Sequence, residues 1–131
     1  MSTISPTLAG LRSSHDTLVR LGFFFVREAM HDLWGRPLPP LLRSGVVYRR
    51  EASGHERWLL PHEVMARGAG DCEDLAAWLA AELRLKGVPA EFAVVASGPG
   101  RWHAVVKMPD GRIADPSRLL LAAEARRKKK G

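Results

Sequence analysis

The stretch "GDCEDLAAWLAAELRLKG" (70–87) decides the fold, because it contains the clearest helix of the chain and the only cysteine, Cys72. Asp71 suits the N-cap of this helix, Asp74 follows three residues later, and Gly87 suits the position just past its end. Its apolar residues cover much of the helix surface, at about 100° per residue: Cys72, Leu75, Ala76, Trp78, Leu79, Leu83 and Leu85. Such a helix lies at the centre of a domain, with the core packed around it.

Three extended segments after this helix predict a small antiparallel sheet. They are "AEFAVVA" (90–96), "RWHAVVKM" (101–108) and "RIAD" (112–115). The connectors between them, "SGPG" and "PDG", have the composition of hairpin turns, so the three strands are expected to form a meander.

Further helices are predicted on both sides of this core. Residues 14–33 carry apolar side chains at helical spacing, and residues 60–68 form two helical turns that end at a glycine. Residues 46–58 hold a short strand and a turn, and residues 117–130 form a last helix. The fold class is therefore α+β, with the helices first and a small antiparallel sheet after them.

Length and composition indicate one domain that spans residues 1–131, with its core at about 46–118. Residues 1–12 and 126–131 are expected to be disordered. One cysteine excludes an internal disulfide and disfavours a closed zinc site. The most apolar stretch near the N-terminus, residues 18–26, is too short to span a membrane, so we expect a cytoplasmic protein.

The net charge of +6 raises the question of a nucleic-acid partner. Much of this charge lies in "RRKKK" (126–130), which is typical of a solvated tail. No basic stripe interleaved with aromatic residues accompanies it. Nucleic-acid binding is therefore not expected, and a non-specific electrostatic contact of the tail is the alternative.

Cys72 is a candidate nucleophile, because the first residue of a helix lies at the positive end of the helix dipole, which favours the thiolate. His103 is the candidate base. The carboxylates of Asp71, Glu73 and Asp74 oppose this activation, since nearby negative charge raises the pKa of a thiol. Two of them are explained as capping residues, whereas Glu73 is not.

The turn "MPDGR" (108–112) predicts which residue is paired with His103. Pro109–Gly111 have the composition of a three-residue hairpin loop, which makes the first and last residues of the stretch partners. Counting back, Asp115 lies one diagonal step from His103 on the same face of the sheet. A two-residue loop would place it on the opposite face. We therefore expect a His–Asp pair that completes a triad with Cys72.

The motifs "GDCEDLA" (70–76), "WHAVV" (102–106) and "DGRIADPS" (110–117) resemble the core of the transglutaminase-like superfamily, a circularly rearranged relative of the papain fold. The similarity covers about residues 68–118. It is greatest to short bacterial and bacteriophage members, which include bacterial transglutaminase-like cysteine peptidases.

This resemblance implies a cysteine peptidase or amidase with Cys72 as nucleophile, His103 as base and Asp115 as the partner of the base. The substrate is then a protein or peptide, attacked at an amide or acyl carbon through a thioester. A transglutaminase that passes the acyl group to a lysine amine uses the same triad. A non-catalytic phage assembly or scaffolding module, virion-associated and bound to phage structural proteins, is a further alternative.

The absence of Asn and Gln from the chain disfavours papain-type peptidases, which use both in their sites. The backbone N–H of Cys72 is the first candidate for the oxyanion hole. Trp58 and Tyr48 are candidate side-chain donors, because superfamily relatives use an upstream aromatic donor. No cofactor is expected; calcium at Asp71 and Glu73, as in some peptidase relatives, is the alternative, although calcium takes about six to eight oxygens.

Overall fold

A computed structural model describes residues 15–50, 58–99 and 101–130. These ranges contain four α-helices: α1 (His15–Gly35), α2 (Pro61–Arg67), α3 (Cys72–Leu85) and α4 (Pro116–Lys130). They also contain a 3-10 turn (Leu41–Arg43) and five strands: β1 (Val47–Tyr48), β2 (Ala69–Gly70), β3 (Glu91–Gly98), β4 (Arg101–Lys107) and β5 (Ile113–Ala114). The chain is therefore mixed α+β, as the sequence predicts. None of these helices is long and apolar enough to cross a membrane.

Helix α3 begins and ends where its capping residues predict. The Asp71 side chain accepts a hydrogen bond from the backbone N–H of Cys72 at 2.7 Å, and Asp74 accepts one from the backbone N–H of Asp71 at 2.9 Å. The Asp71 side chain also accepts from the backbone N–H of Asp74, and this bond together with the bond from Asp71 N–H to Asp74 forms a capping box that satisfies otherwise unpaired donors of the first turn. At the other end Gly87 has φ 89°, a left-handed conformation that suits glycine.

Helix α3 is the centre of the core, since residues 74–81 are all buried. It packs against α1 and against the sheet, mainly through β4, while α4 covers another side. Helix α1 also contacts β3, and there Gly22 lies directly over the ring of Phe92. Trp58 stacks on Phe92 at 5.6 Å and meets Phe25 edge-on at 5.5 Å, which closes an aromatic cluster between α1 and the sheet.

The sheet is the antiparallel meander β3-β4-β5 that the sequence predicts. Its second turn is a three-residue loop: the backbone N–H of Met108 donates to the carbonyl of Arg112 at 2.8 Å, and Gly111 has φ 91°. Val106 then pairs with Ala114. The predicted register is therefore confirmed, and this register determines the face on which Asp115 lies.

Strands β1 and β2 form a separate parallel pair, in which Val47 is opposite Ala69 and Tyr48 is opposite Gly70. The sequence predicts a strand near β1 but not this partner. Because β2 leads directly into α3, the pairing brings Tyr48 beside the residues that begin α3.

Helix α4 continues to Lys130, although residues 126–131 were expected to be disordered. Glu124 explains part of this difference, since it pairs with Arg49 of the loop after β1 at 3.0 Å and with Lys128 one turn later at 3.8 Å. Lysine and arginine are also good helix formers, and their charge is favourable near a helix C-terminus. The expectation for residues 1–12 falls outside the described residues, as does that for a turn within 51–57.

Candidate functional site

His103 and Asp115 form a hydrogen-bonded pair, with His103 Nε2 and Asp115 Oδ2 2.8 Å apart. His103 lies on β4 and Asp115 directly follows β5, so the three-residue loop brings them to the same face of the sheet. About a quarter of each side chain is exposed, 24% and 26%. The His–Asp pair predicted from the turn is therefore present.

Asp115 is held in place from a second direction. Its Oδ1 accepts a hydrogen bond from the backbone N–H of Arg118 at 3.3 Å, which makes it the N-cap of α4. Proline at the first helical position, Pro116, supports the same helix start. With Nε2 of His103 directed to this anchored carboxylate, Nδ1 is the ring nitrogen left to exchange a proton.

Cys72 is the first residue of α3, and only 8% of it is exposed. Burial raises the pKa of its thiol, and negative charge and a hydrogen bond at Glu73 raise it further. Asp71 adds to this effect, while a hydrogen bond from the backbone of Ala104 on β4 opposes it. The resting thiol is therefore protonated at neutral pH, because burial and carboxylates outweigh the helix dipole.

Cys72 and His103 line the same cleft, which has a volume of about 370 Å³. Asp71 and Glu73 flank the thiol on its own helix start, and Tyr48 and Arg50 approach from β1. The end of β3 and the first residues of β4 supply the other wall: Ser97, Arg101, Trp102 and His103. Helix α3, strand β4 and the end of β1 thus bring together a thiol, an imidazole and a phenol.

Of the two aromatic candidates for the oxyanion hole, Tyr48 lines the cleft, whereas Trp58 lies in the core. Trp58 is 6% exposed and packs between the rings of Phe25 and Phe92. The expectation that its indole N–H is an oxyanion donor is therefore wrong. Burial raises the pKa of Tyr48, and the negative charge of Asp71 raises it further. The hydroxyl therefore stays protonated and can donate a hydrogen bond.

The backbone N–H of Cys72, the other expected donor, is already used. It donates to Oδ1 of Asp71, the N-cap residue of α3, at 2.7 Å. Any other acceptor must displace this carboxylate before it can use the N–H group. Tyr48 is therefore the better placed donor of the resting cleft.

Sequence reasoning missed four residues of the cleft: Arg50, Ser97, Arg101 and Trp102. Arg101 carries a usable signal, since it stands two residues before His103 on β4, and alternate residues of a strand share a face. Arg50 carries none. It reaches the cleft because β1 pairs with β2, and two-residue parallel pairing leaves no pattern in a sequence.

The acids beside Cys72 form a compact group with the thiol. One ligand atom from each of Asp71, Cys72 and Glu73 lies within 4.8 Å of the others. Two carboxylates supply few of the about six to eight oxygens that calcium takes, and one of them already caps α3. This group by itself does not make a calcium site.

No protein-family model, curated protein or solved structure matches the chain. The function is therefore inferred from the geometry of the cleft and from the motifs around Cys72, His103 and Asp115.

Proposed function

We propose that the protein is a cysteine hydrolase, a peptidase or amidase, whose α+β fold is a transglutaminase-like core. Cys72 is the nucleophile, His103 the general base and Asp115 the residue that orients the base. The 2.8 Å hydrogen bond between His103 and Asp115, at a cleft that Cys72 also lines, is the observation that carries the proposal. The Cys-containing helix start and the order of the three residues along the chain support it further.

Acylation begins from the neutral thiol, because the pKa of Cys72 is raised. As Sγ attacks the carbonyl carbon of the substrate, Nδ1 of His103 takes the thiol proton. The positive charge that forms on the imidazole is stabilised by the carboxylate of Asp115 at Nε2. Proton transfer therefore accompanies attack, and no thiolate–imidazolium pair is needed beforehand.

The negative charge that develops on the carbonyl oxygen needs a donor in the cleft. Tyr48 supplies its hydroxyl, which the raised pKa keeps protonated. The backbone N–H of Cys72 adds a second donor once the substrate oxygen replaces Asp71 Oδ1.

The imidazolium of His103 then gives its proton to the leaving amine, which leaves an acyl thioester on Cys72. Water attacks this thioester with His103 again as the base, releasing the acid and restoring the thiol. If a lysine amine attacks instead, the same intermediate gives a transglutaminase. We favour hydrolysis because so small a domain has little room for a second substrate site.

A small neutral ester tests the triad without assuming a natural substrate. p-Nitrophenyl acetate acylates an activated thiol and releases nitrophenolate, which is measured by absorbance, while mass spectrometry locates the acetyl group. We expect a stoichiometric burst with the acetyl group on Cys72. The burst disappears in Cys72→Ala and slows by about 10²–10⁴-fold in His103→Ala.

Arg27→Ala is the matched control, since Arg27 is exposed on α1 and does not line the cleft. A burst rate that does not depend on His103 contradicts the proposal and favours a non-catalytic module. Adding n-butylamine during turnover separates the two enzymes: a hydrolase releases mainly acetate, whereas an acyltransferase releases mainly N-butylacetamide.

A further inference from the structure

The charged side chains of the cleft differ in whether they already form hydrogen bonds within the protein. The Asp71 carboxylate caps α3, accepting from the backbone N–H of Cys72 and from the third residue of the helix. Glu73 is hydrogen-bonded to the thiol of Cys72. Both negative charges of the cleft are therefore engaged within the protein.

The two arginines of the cleft, Arg50 and Arg101, are not engaged in this way. Both are exposed, and in the described ranges neither guanidinium forms a hydrogen bond or an ion pair. Arg49, which precedes Arg50, is paired by contrast, since it binds Glu124 through two bonds of 3.1 and 3.0 Å. The cleft thus presents two positive charges to a ligand.

Each of these arginines lies near one of the residues that the proposed mechanism uses. Arg50 is close enough to Tyr48 for its charge to act on the phenol, and it follows the strand that carries that residue. Arg101 begins β4 two residues before His103, so both side chains leave the same face of the strand. One arginine is therefore beside the proposed oxyanion donor and the other beside the base.

We propose that Arg50 and Arg101 bind a carboxylate of the substrate, so that the protein acts on acyl donors with a carboxylate next to the scissile bond. This inference rests on the proposed function. A guanidinium presents a planar fork of N–H donors that matches a carboxylate, which a solvated lysine does not. Trp102 is 42% exposed in the same cleft and provides an apolar surface for the methylene groups that carry the carboxylate.

The carboxylate can belong to an acidic side chain or to a peptide C-terminus, and three small probes separate these sources. N-acetylglutamate α-amide carries only the side-chain carboxylate, N-acetylglutamine carries only the α-carboxylate, and N-acetylglutamine α-amide is neutral. Binding is followed by NMR through the Nε–Hε signals of Arg50 and Arg101 in the whole chain.

We expect at least one of the two acids to shift both arginine signals in a saturable way, while the neutral amide does not. Arg50→Ala and Arg101→Ala each weaken the binding of that acid by about tenfold. Arg27→Ala, on the exposed face of α1, leaves it unchanged. The acid that binds more tightly identifies the source of the carboxylate.

Equal shifts with the neutral amide, no saturable shift with either acid, or binding that neither arginine substitution weakens would overturn the inference. This test is independent of the thiol, and the p-nitrophenyl acetate burst is independent of the arginines because that ester carries no charge. Carboxylate binding without a burst refutes the proposed function, and with it the action on acyl donors, but leaves Arg50 and Arg101 as a carboxylate-binding site. A burst without carboxylate binding refutes only the present inference.

Discussion

Asp115 binds His103 at 2.8 Å and caps helix α4 through its other oxygen. A single carboxylate thus orients the imidazole and begins the helix that follows the sheet. The position of His103 therefore depends on the packing of α4 as well as on the hairpin.

Replacing Asp115 separates its charge from its hydrogen bonds. Asp115→Asn keeps an acceptor for His103 but removes the negative charge, so we expect the p-nitrophenyl acetate burst to slow by about tenfold, or about 1.4 kcal/mol. Asp115→Ala removes the acceptor as well, and we expect a loss of about 10²-fold or more. Stopped-flow absorbance measures both rates.

The alanine variant also loses the N-cap of α4, which costs about 1 kcal/mol of stability. Thermal unfolding of both variants shows whether the rate falls because the fold is weakened. Equal burst rates in Asp115→Asn, Asp115→Ala and the unchanged protein would mean that Asp115 has only the capping role.

The reactivity of Cys72 with iodoacetamide is expected to depend on Glu73. Burial and Glu73 raise the pKa of the thiol. The alkylation rate should therefore begin to rise at a higher pH than it does for a free cysteine, whose pKa is about 8.5. Glu73→Gln removes a negative charge, lowers the pKa of Cys72 and speeds alkylation at neutral pH. Mass spectrometry at a series of pH values follows the rate.

Glu91→Gln is the matched control, because Glu91 is exposed at the start of β3 and does not line the cleft. It should leave the alkylation profile unchanged. A Glu73→Gln profile that coincides with that of the unchanged protein would show that Glu73 does not raise the pKa of Cys72.

The raised pKa of Cys72 makes the folded state less stable at alkaline pH. The folded state keeps the thiol proton at a pH where the unfolded chain has lost it, so the free energy of unfolding falls as pH rises above about 8.5. Cys72→Ser removes this contribution. Urea unfolding at about pH 7.5 and about pH 9.5 should show a larger loss for the unchanged protein than for Cys72→Ser, and equal losses would argue against it.

Tyr48 and Trp58 are expected to respond in opposite ways to the loss of a polar group. Tyr48→Phe keeps the ring but removes the proposed oxyanion donor, so acylation should slow by about 10²-fold with little change in stability. Trp58→Phe should leave the burst rate nearly unchanged and cost about 1–3 kcal/mol of stability, because Trp58 fills the aromatic cluster.

Burst kinetics and urea unfolding of the two variants decide between these roles. A slow burst in a stably folded Trp58→Phe, together with a normal burst in Tyr48→Phe, would show that Trp58 and not Tyr48 is the oxyanion donor.

Gly22 should tolerate no side chain, because a Cβ at this position would lie 2.0 Å from the ring of Phe92. Gly22→Ala gains about 1 kcal/mol of helix propensity but pushes α1 away from the sheet, and overpacking costs about 1–3 kcal/mol. We expect a net loss of stability in urea unfolding. Gly35→Ala, in the same helix with no atom within 4 Å of the added Cβ, should be neutral or stabilising.

The central part of the site could be predicted from sequence because local rules control it. Capping residues determine where α3 begins, and therefore that Cys72 is its first residue. The composition of the loop after β4 determines the hairpin register, and the two-residue alternation of strands then brings Asp115 to His103. None of this depends on distant parts of the chain.

Tertiary packing decided the remaining features. The pairing of β1 with β2 brings Tyr48 and Arg50 to the cleft, while the fit of α1 against β3 buries Trp58 in the core. The depth at which α3 is buried sets the pKa of Cys72, because desolvation depends on what surrounds the thiol. The sequence by itself determined which residues form the proposed triad, through turns, caps and alternation. Only the tertiary structure decided how reactive the thiol is and which side chains surround it, because burial and long-range pairing join segments whose local patterns are independent.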